Sequence, residues 1–397
     1  MLEQLQQYST IILKKTDTKY KRYFFNKVDF NEKLIGIVGD RGIGKTTFLL
    51  QYLKELDIQH HKKLYVTSEY ITLSNYKLFD IAEEFSKQGG EVLVIDEIHK
   101  IENFELQLKL IYDYFTLQVF FSGSSAIKLE HSKADLSRRA LLYHFNGLSF
   151  REFLELKLNK KFPTYSIEEI ITNHVDISLN LTSKFKPFEY FKEYLQFGYY
   201  PFYLDTSKES FFLKLNETIN ATIEYDLAYI FNIEPKFSIK LKQLVTLICE
   251  SKPYELNITK LAQKIEINRN TLYQYIYYLT RGKIFNTLKA KTKGDNIFNK
   301  PDKLYLANPN LNFSYCNEND IGTIRENFFV NQVGAYHTLN YPKQGDFLVN
   351  DIYTFEIGGK DKGFKQIKGL DNSFVVADNI EVGVSNKIPL WLFGFLY

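Results

Sequence analysis

A glycine-rich segment near the start of the chain carries the residue types that bind phosphate. It follows an apolar run and consists of Gly39, Asp40, Arg41, Gly42, Ile43, Gly44, Lys45, Thr46 and Thr47. Glycines let backbone N–H groups curl round a phosphate, and the positive end of a following helix faces the same anion. At this spacing we expect Lys45 to contact the β- and γ-phosphates of a nucleoside triphosphate and the Thr46 hydroxyl to bind Mg²⁺.

Two adjacent carboxylates, Asp96 and Glu97, end a second apolar run further along the chain. In a nucleotide site of this kind the first carboxylate holds Mg²⁺ through water, and the second polarises the attacking water. We therefore predict that Asp96 is a Mg²⁺ ligand and that Glu97 is the catalytic base. The alternative is an acidic pair at a strand end without chemistry, and the presence of both motifs in one chain weakens it.

Hydroxyl and guanidinium side chains follow these two motifs. Ser122 and Ser124 come at the end of a further apolar run, where they would either sense the γ-phosphate or cap a helix. Arg138 and Arg139 form a basic pair that would either stabilise phosphoryl charge as an arginine finger or lie in solvent. A finger acting in trans requires neighbouring subunits, so this interpretation implies a homo-oligomer.

The elements that must position these residues alternate between strands and helices over the first 150 residues. Apolar runs at 34–38, 64–67, 92–95 and 118–121 predict strands, and amphipathic segments such as 47–56 and 104–114 predict helices. Parallel strands joined by helical crossovers are the simplest arrangement of this pattern. The sequence thus predicts an α/β domain with a parallel sheet.

Length and composition restrict the number of domains, the partners and the compartment that can be expected. A chain of 397 residues is expected to form two or three domains, and a net charge of +3 does not by itself indicate nucleic acid. Cys249 and Cys316 are the only cysteines, which excludes a disulfide framework and fits a reducing compartment. The start shows no secretory signal and no apolar run could span a membrane, so we expect a cytoplasmic protein.

A helix-turn-helix pattern follows a mainly helical stretch that begins at residue 148. Asn268 is expected to cap the second helix, and Gly282 to end it. If this winged-helix unit binds duplex DNA, Arg269, Asn270 and Gln274 would contact base edges. Lys289, Lys291 and Lys293 would contact phosphates. The alternative, equally open, is a winged helix used only for internal packing.

The motifs of the first 230 residues together resemble the AAA+-like P-loop ATPases of prokaryotes. The matching strings are residues 39–47, 96–100, 121–125 and 148–153, and a glycine–proline turn at 197–201 resembles the helical lid of the same family. The resemblance implies ATP rather than GTP as the ligand. It also implies a helical lid that closes over the nucleotide.

The C-terminal region resembles a domain of unknown function that commonly follows such ATPases and that is similar to the PD-(D/E)xK nuclease fold. This resemblance implies a Mg²⁺-binding nuclease site made of Glu326, Asp346, Glu356 and Lys360. The chain departs from the pattern because Gly358 stands where the motif has lysine. A two-residue hairpin turn would put Asp346 and Glu356 on opposite faces, whereas a three-residue turn would place them opposite each other.

We predict an α/β fold class: a P-loop NTPase core over residues 1–147, a helical lid over 148–235, a winged helix-turn-helix over 236–303 and a restriction-nuclease-like α/β domain over 304–397. Three functions fit these domains. The chain is an ATPase that acts on DNA, a nucleotide switch or scaffold with a protein partner, or an ATP-regulated nuclease. Glu97 favours hydrolysis, and the lysine-rich segment 283–303 after the second helix would suit a basic wing that favours DNA. The altered lysine position counts against cleavage.

Overall fold

The computed structural model describes residues 2–74, 76–123, 136, 138–249, 257–290 and 301–397, without the side chains of 72–74. The chain divides into two compact units, Met1–Gly147 and Leu148–Tyr397. Each unit is described by itself below. The finer division into four domains stays a prediction.

The first unit contains a five-stranded parallel sheet in the order β2-β3-β4-β1-β5. Its strands are β1 Leu34–Gly39, β2 Lys63–Thr67, β3 Val92–Asp96, β4 Gln118–Gly123 and β5 Leu141–Phe145. The four strands predicted from apolar runs are confirmed to within two residues. β5 is not predicted from the sequence, and four of its five residues are exposed or half-buried, unlike those of the other strands.

The order of the strands brings the phosphate-binding segment and the acidic pair to one edge of the sheet. β4 lies between β1 and β3, with Ile37 beside Ser122 and Ile95 beside Phe121. The carboxyl ends of parallel strands open onto one crevice, where ligands of α/β proteins bind. The ends of β1, β3 and β4 therefore converge.

Five helices accompany this sheet among the described residues: α1 Leu2–Lys15, α2 Lys45–Glu55, α3 Ser68–Ser74, α4 Leu78–Lys87 and α5 Phe104–Tyr114. They cover it with apolar side chains such as Leu5, Ile81 and Leu108, which are fully buried. Burial of both faces explains why the strands are near-continuous apolar runs. The helices predicted over 47–56 and 104–114 are confirmed.

The second unit is mostly helical in its first half. Its helices are α6 Phe150–Leu158, α7 Ile167–Thr182, α8 Pro187–Glu193, α9 Lys208–Ala221, α10 Ala228–Phe231, α11 Pro235–Cys249, α12 Ile258–Lys264, α13 Arg269–Arg281, α14 Pro309–Tyr315 and α15 Ile321–Val333. Ser149 and Glu152 form the expected capping box at the start of α6. The Ser149 hydroxyl also donates to the Tyr397 backbone oxygen at 2.6 Å, so α6 packs on the end of the chain.

Two sheets complete the second unit. β6 Phe285–Leu288 and β7 Lys303–Leu306 form an antiparallel pair that follows α12 and α13. The larger sheet has the order β12-β11-β10-β9-β8. Its strands are β8 Leu339–Asn340, β9 Phe347–Val349, β10 Tyr353–Gly358, β11 Ser373–Ala377 and β12 Lys387–Pro389.

The apolar end of the chain, residues 389–397, reads from the sequence as a buried strand, and this prediction is wrong. Leu390–Phe395 is a fully buried 3-10 helical turn. Pro389 cannot donate a ladder hydrogen bond, which favours an end to the strand there. Trp391 and Phe395 instead pack against Phe185, at ring distances of 5.8 and 6.2 Å.

The two cysteines form a disulfide between Cys249, the last residue of α11, and Cys316, directly after α14, with 5.0 Å between their Cα atoms. Two cysteines allow one bridge and no larger framework, and this one bridge is present. Because disulfides are rare in reducing compartments, the number of cysteines no longer favours such a compartment for this protein. Across the part of the chain that is described, every helix is too short or too polar to cross a membrane.

Candidate functional site

The glycine-rich loop between β1 and α2 has the backbone shape that its glycines allow. Gly44 adopts a φ of 96°, a left-handed conformation that favours glycine, at the position directly before α2. A Cβ on Gly39 would lie 2.1 Å from the Phe145 backbone oxygen of β5, so only glycine fits there. Strand, loop and helix therefore occur in the context that the sequence predicts.

Lys45 is buried, and its ammonium group turns back onto the loop. It donates to the backbone oxygen of Gly39 at 2.9 Å and to that of Asp40. The ammonium thus lies within the loop where phosphate oxygens are expected to bind. Charged side chains in such a loop are predicted to face solvent rather than take part in the reaction, but Asp40 is buried and the Arg41 side chain is only 27% exposed.

Arg22 supports this loop from outside it and is missed by the sequence analysis. Its guanidinium donates to the backbone oxygens of Ile43, Asn146 and Gly147 at 3.3, 3.0 and 2.8 Å. It also lies 4.6 Å from the centre of the Phe145 ring. No motif marks Arg22, because its partners are backbone atoms distant in sequence.

Asp96, at the end of β3, accepts hydrogen bonds from three hydroxyl groups. Thr46 Oγ1 donates to Oδ2 at 2.7 Å, Tyr65 OH donates to the same oxygen at 2.9 Å, and Ser122 Oγ donates to Oδ1. Thr46 and Asp96 thus present adjacent oxygen ligands of the kind that Mg²⁺ prefers. These residues fit the metal that the sequence predicts.

Tyr65 is a second residue that the sequence analysis misses. It lies on β2, is almost fully buried, and its pKa is raised well above the ordinary range by burial and by the charge of Asp96. The phenol therefore remains protonated and acts as a hydrogen-bond donor. The parallel pairing of β2 with β3, which carries Asp96, could have drawn attention to it.

Glu97 follows Asp96 in a left-handed backbone conformation, with φ at 54°. Its N–H donates to Ser122 Oγ at 2.9 Å, so Ser122 contacts both residues of the acidic pair. Its carboxylate contacts Lys100 Nζ and lies 3.9 Å from an Arg41 nitrogen. Burial alone would raise the pKa of Glu97, but the hydrogen bond and charge of Lys100 outweigh it and the net shift is downward.

The other residues predicted for this site are less closely associated with it. Ser124 lies outside the described residues. Arg139 forms a paired contact with Asp113 of α5, at 2.9 and 3.1 Å, and Arg138 is exposed. An arginine-finger role stays a prediction, and for Arg139 it requires the loss of the Asp113 pair.

In the second unit, α12 and α13 follow each other across a short turn, and Asn268 caps α13 by accepting from Thr271 N–H at 2.8 Å. Arg269, Asn270 and Gln274 are all exposed on α13. Lys289 is partly buried after β6, while Lys291 and Lys293 lie outside the described residues. That this unit is a winged helix that contacts DNA stays a prediction.

Two of the three carboxylates predicted for a nuclease-like site contact a lysine that the sequence analysis did not select. Lys303 Nζ, on β7, lies 3.1 Å from Glu326 and 3.2 Å from Asp346, and its side chain is only 3% exposed. Tyr305 OH also donates to Glu326. Burial lowers the pKa of Lys303, but the two carboxylates outweigh it and the net shift is upward.

Asp346 and Glu356 lie opposite each other, as the three-residue turn requires. Phe347 of β9 pairs with Phe355 of β10 in antiparallel register. The next pair away from the turn is therefore Asp346 and Glu356. Asp346 Oδ2 accepts from Ile357 N–H at 2.8 Å. Of the two geometries left open by the sequence, the one with both carboxylates on one face is present.

Lys362, and not Lys360, is the lysine that contacts Glu356. Lys360 is exposed. A Cβ on Gly358 would lie within 2.7 Å of the Lys362 side chain, so the glycine at the motif position makes room for Lys362. Burial raises the pKa of the fully buried Glu356. Among the described residues no group of three or more His, Cys, Asp or Glu side chains is arranged to hold a metal ion.

Two families match separate parts of the chain. Residues 31–154 match a family described as an AAA domain, and residues 188–315 match a family described as a domain of unknown function, DUF8612. Residues 31–154 are therefore similar to AAA domains, the class that the glycine-rich loop and the acidic pair indicate. This match supports the P-loop ATPase resemblance that was drawn from the motifs, at the level of an AAA domain.

Similarity to individual proteins adds no named activity. An uncharacterised protein of Methanocaldococcus jannaschii is 30% identical over 292 residues, which cover 68% of this chain and only 62% of the relative. Among solved structures, AMPPCP-bound DnaA from Aquifex aeolicus has a TM-score of 0.27 and 13% identity over 71% of this chain and 92% of that chain. PCH-2 of C. elegans has a TM-score of 0.26 and 15% identity over 44% and 52%. TM-scores this low carry no argument about function.

Proposed function

We propose that this protein is a Mg²⁺-dependent ATPase. The observation that carries the proposal is the 2.7 Å contact between the Thr46 hydroxyl and the Asp96 carboxylate at the mouth of the glycine-rich loop. Two oxygen ligands from separate motifs meet there, next to a buried lysine and a second carboxylate. This combination suits phosphoryl transfer better than any other reaction class.

Each residue has a distinct task in the proposed reaction. The loop backbone and Lys45 bind the phosphates, while Thr46 and Asp96 would hold Mg²⁺, which neutralises charge on the phosphates when bound. Glu97 accepts a proton from the attacking water. Ser122 contacts both Asp96 and Glu97, so it keeps the base next to the Mg²⁺ ligand.

We further propose that nucleotide binding is coupled to a winged helix that contacts duplex DNA. Support comes from α13, where Arg269, Asn270 and Gln274 present donors and acceptors to solvent near the start of a helix. Side chains in this position of a recognition helix reach base edges in the major groove.

The protein is proposed to be cytoplasmic. If the chain forms a homo-oligomer, Arg138 is proposed to act on the nucleotide of a neighbouring subunit.

A second candidate function is a nucleotide switch or scaffold that has a protein partner and no DNA contact. It is favoured by the ion pair between Glu97 and Lys100, which occupies the carboxylate of the proposed base. A base restrained in this way supports tight binding and slow hydrolysis. Such a protein would change state with bound nucleotide rather than with rapid turnover.

We propose that the C-terminal carboxylate cluster does not cut DNA. Lys303 lies between Glu326 and Asp346, where its ammonium group takes the place that a metal ion would need. The residues therefore do not fit the Mg²⁺ that the nuclease resemblance implies. Supercoiled plasmid incubated with the protein and Mn²⁺ should remain intact, whereas nicking that disappears in Glu356→Ala would overturn this proposal.

The deciding experiment measures ATP hydrolysis with Mg²⁺, with and without duplex DNA, at low salt. Turnover in the wild type and its absence in Glu97→Gln, which should still bind ATP, are expected. Stimulation by DNA that is lost in Arg269→Ala/Gln274→Ala, but kept in a Lys236→Ala control, supports the coupling to DNA. Turnover indifferent to DNA favours a protein partner, and absence of ATP binding by the wild type would refute the ATPase proposal itself.

A further inference from the structure

Lys100 contacts two carboxylates from different elements of the first unit. Its ammonium group contacts Glu97 and lies 3.0 Å from Glu69 Oε1. Glu97 is the proposed base, and Glu69 is on the first turn of α3. One cation is therefore shared between a residue of the proposed reaction and a residue outside it.

The fold explains why these three side chains meet. β2 and β3 are parallel neighbours with Thr67 beside Asp96, so the residues that directly follow the two strands leave the sheet side by side. Ile98–Lys100 forms a single 3-10 turn, which places position 100 over position 97. Residues three apart lie on one side of such a turn, because it has three residues per turn.

The two contacts of Lys100 differ in their exposure to water. The side chain of Glu69 is 70% exposed, whereas that of Glu97 is 27% exposed. Water weakens an ion pair at an exposed carboxylate more than at a half-buried one. Glu97 is thus the stronger partner, and Glu69 competes with it for the same ammonium group.

We propose that Lys100 is a positioning residue that restrains Glu97 and slows hydrolysis, and that Glu69 weakens this restraint. The inference rests on the proposed ATPase function. A carboxylate that accepts a hydrogen bond from an ammonium group is a poorer acceptor for the proton of the attacking water. Release of Lys100 towards Glu69 frees the carboxylate, so the position of α3 regulates the base.

The central test is steady-state ATP hydrolysis by Lys100→Met in the full chain. The kcat is expected to rise about two- to fivefold, which is the factor that loss of one half-exposed ion pair can produce. KM should stay unchanged, because Lys45 and the loop backbone carry nucleotide binding. Lys100→Arg keeps the cation and should restore the wild-type kcat.

Glu69→Gln is expected to change kcat in the opposite direction. It removes the competitor, so Lys100 stays on Glu97 and kcat should fall by up to about twofold. Lys87→Met is the matched control, because Lys87 also pairs with a glutamate, Glu83 at 2.9 Å, but on α4. Its kcat should equal that of the wild type.

A kcat that falls or stays unchanged in Lys100→Met, while the wild type hydrolyses ATP, would overturn the inference and leave the ATPase proposal standing. If both proteins bind ATP and neither hydrolyses it, the inference is overturned and the nucleotide-switch function replaces the ATPase proposal. Hydrolysis by Lys100→Met alone would support both proposals. Failure of the wild type to bind ATP at all would count against the ATPase proposal, and the inference would fall with it.

Discussion

The two units each gather carboxylates and a buried lysine, but they use the lysine differently. In the first unit, the Lys45 ammonium group contacts backbone oxygens of the glycine-rich loop, and the carboxylate of Asp96 is held by hydroxyl groups. In the second unit, the Lys303 ammonium group lies directly between Glu326 and Asp346. Similar residue types thus produce one site whose carboxylate is held by hydroxyl groups and one site whose two carboxylates share a buried ammonium group.

The difference lies in which groups satisfy the carboxylates. Hydroxyl donors leave the negative charge of Asp96 in place, so it can still attract a cation. An ammonium group offsets part of the negative charge of its two neighbours, and a divalent ion would meet repulsion from it. A list of acidic residues does not distinguish these cases, whereas the position of the nearest lysine does.

The largest effect is expected from Lys303→Met. The lysine is almost fully buried, and its loss leaves two carboxylates without their counter-charge, which costs about 3–5 kcal/mol of unfolding free energy. Trp391, the only tryptophan, is buried in the second unit, so its fluorescence during urea unfolding reports that unit. Recovery of stability in Lys303→Met/Glu326→Gln is the expected control. Wild-type stability in Lys303→Met would show that the two carboxylates do not depend on Lys303 for their counter-charge.

Lys45→Ala tests the site of the first unit, where the lysine lies in the glycine-rich loop. Removal of the ammonium group from the loop should lower kcat/KM for ATP by about 10²- to 10³-fold, the range measured when one pre-organised donor is lost. Lys54→Ala on the same helix is the matched control, since its side chain donates to the Thr16 backbone oxygen and not to the loop. Equal loss of activity in both variants would contradict a specific role for Lys45.

Ser122→Ala is expected to have a smaller effect on the same reaction. The hydroxyl donates to Asp96 and accepts from the Glu97 N–H, so its loss loosens both residues without removing either. A decrease in kcat of about tenfold is expected, as for other outer partners of metal ligands. Ser122→Thr retains the hydroxyl and should preserve much of the activity. Full activity in Ser122→Ala would show that Ser122 does not position the base.

The smallest effect is a pH dependence at Glu356. Burial raises its pKa above the ordinary value of 4.5, so the folded state binds this proton more tightly than the unfolded chain does. The contribution to stability is therefore present below pH 4.5 and is lost as pH rises through the folded pKa. Glu356→Gln should gain stability relative to the wild type between pH 4.5 and 8. A difference that is constant across this range would mean that Glu356 does not titrate as proposed.

The predicted and missed residues of the candidate site differ in one physical respect. Lys45, Thr46, Asp96 and Glu97 stand at fixed spacings next to apolar strands, so local sequence identifies them. Partners such as Tyr65, Arg22, Lys100 and Lys303 act across strands or turns, and their contacts depend on register. The pairing of Thr67 with Asp96, for example, is a property of the sheet and not of either segment alone.

By itself the sequence determined the loop, its helix, the acidic pair and four of the five strands of the first sheet. Glycine spacing and continuous apolar runs are local properties, and local properties set local backbone structure. Only the tertiary structure decided which lysine meets which carboxylate. Lys362 reaches Glu356 across Gly358, and Lys303 enters the cluster from β7, because charge pairing depends on distances in space that the order of residues along the chain does not give.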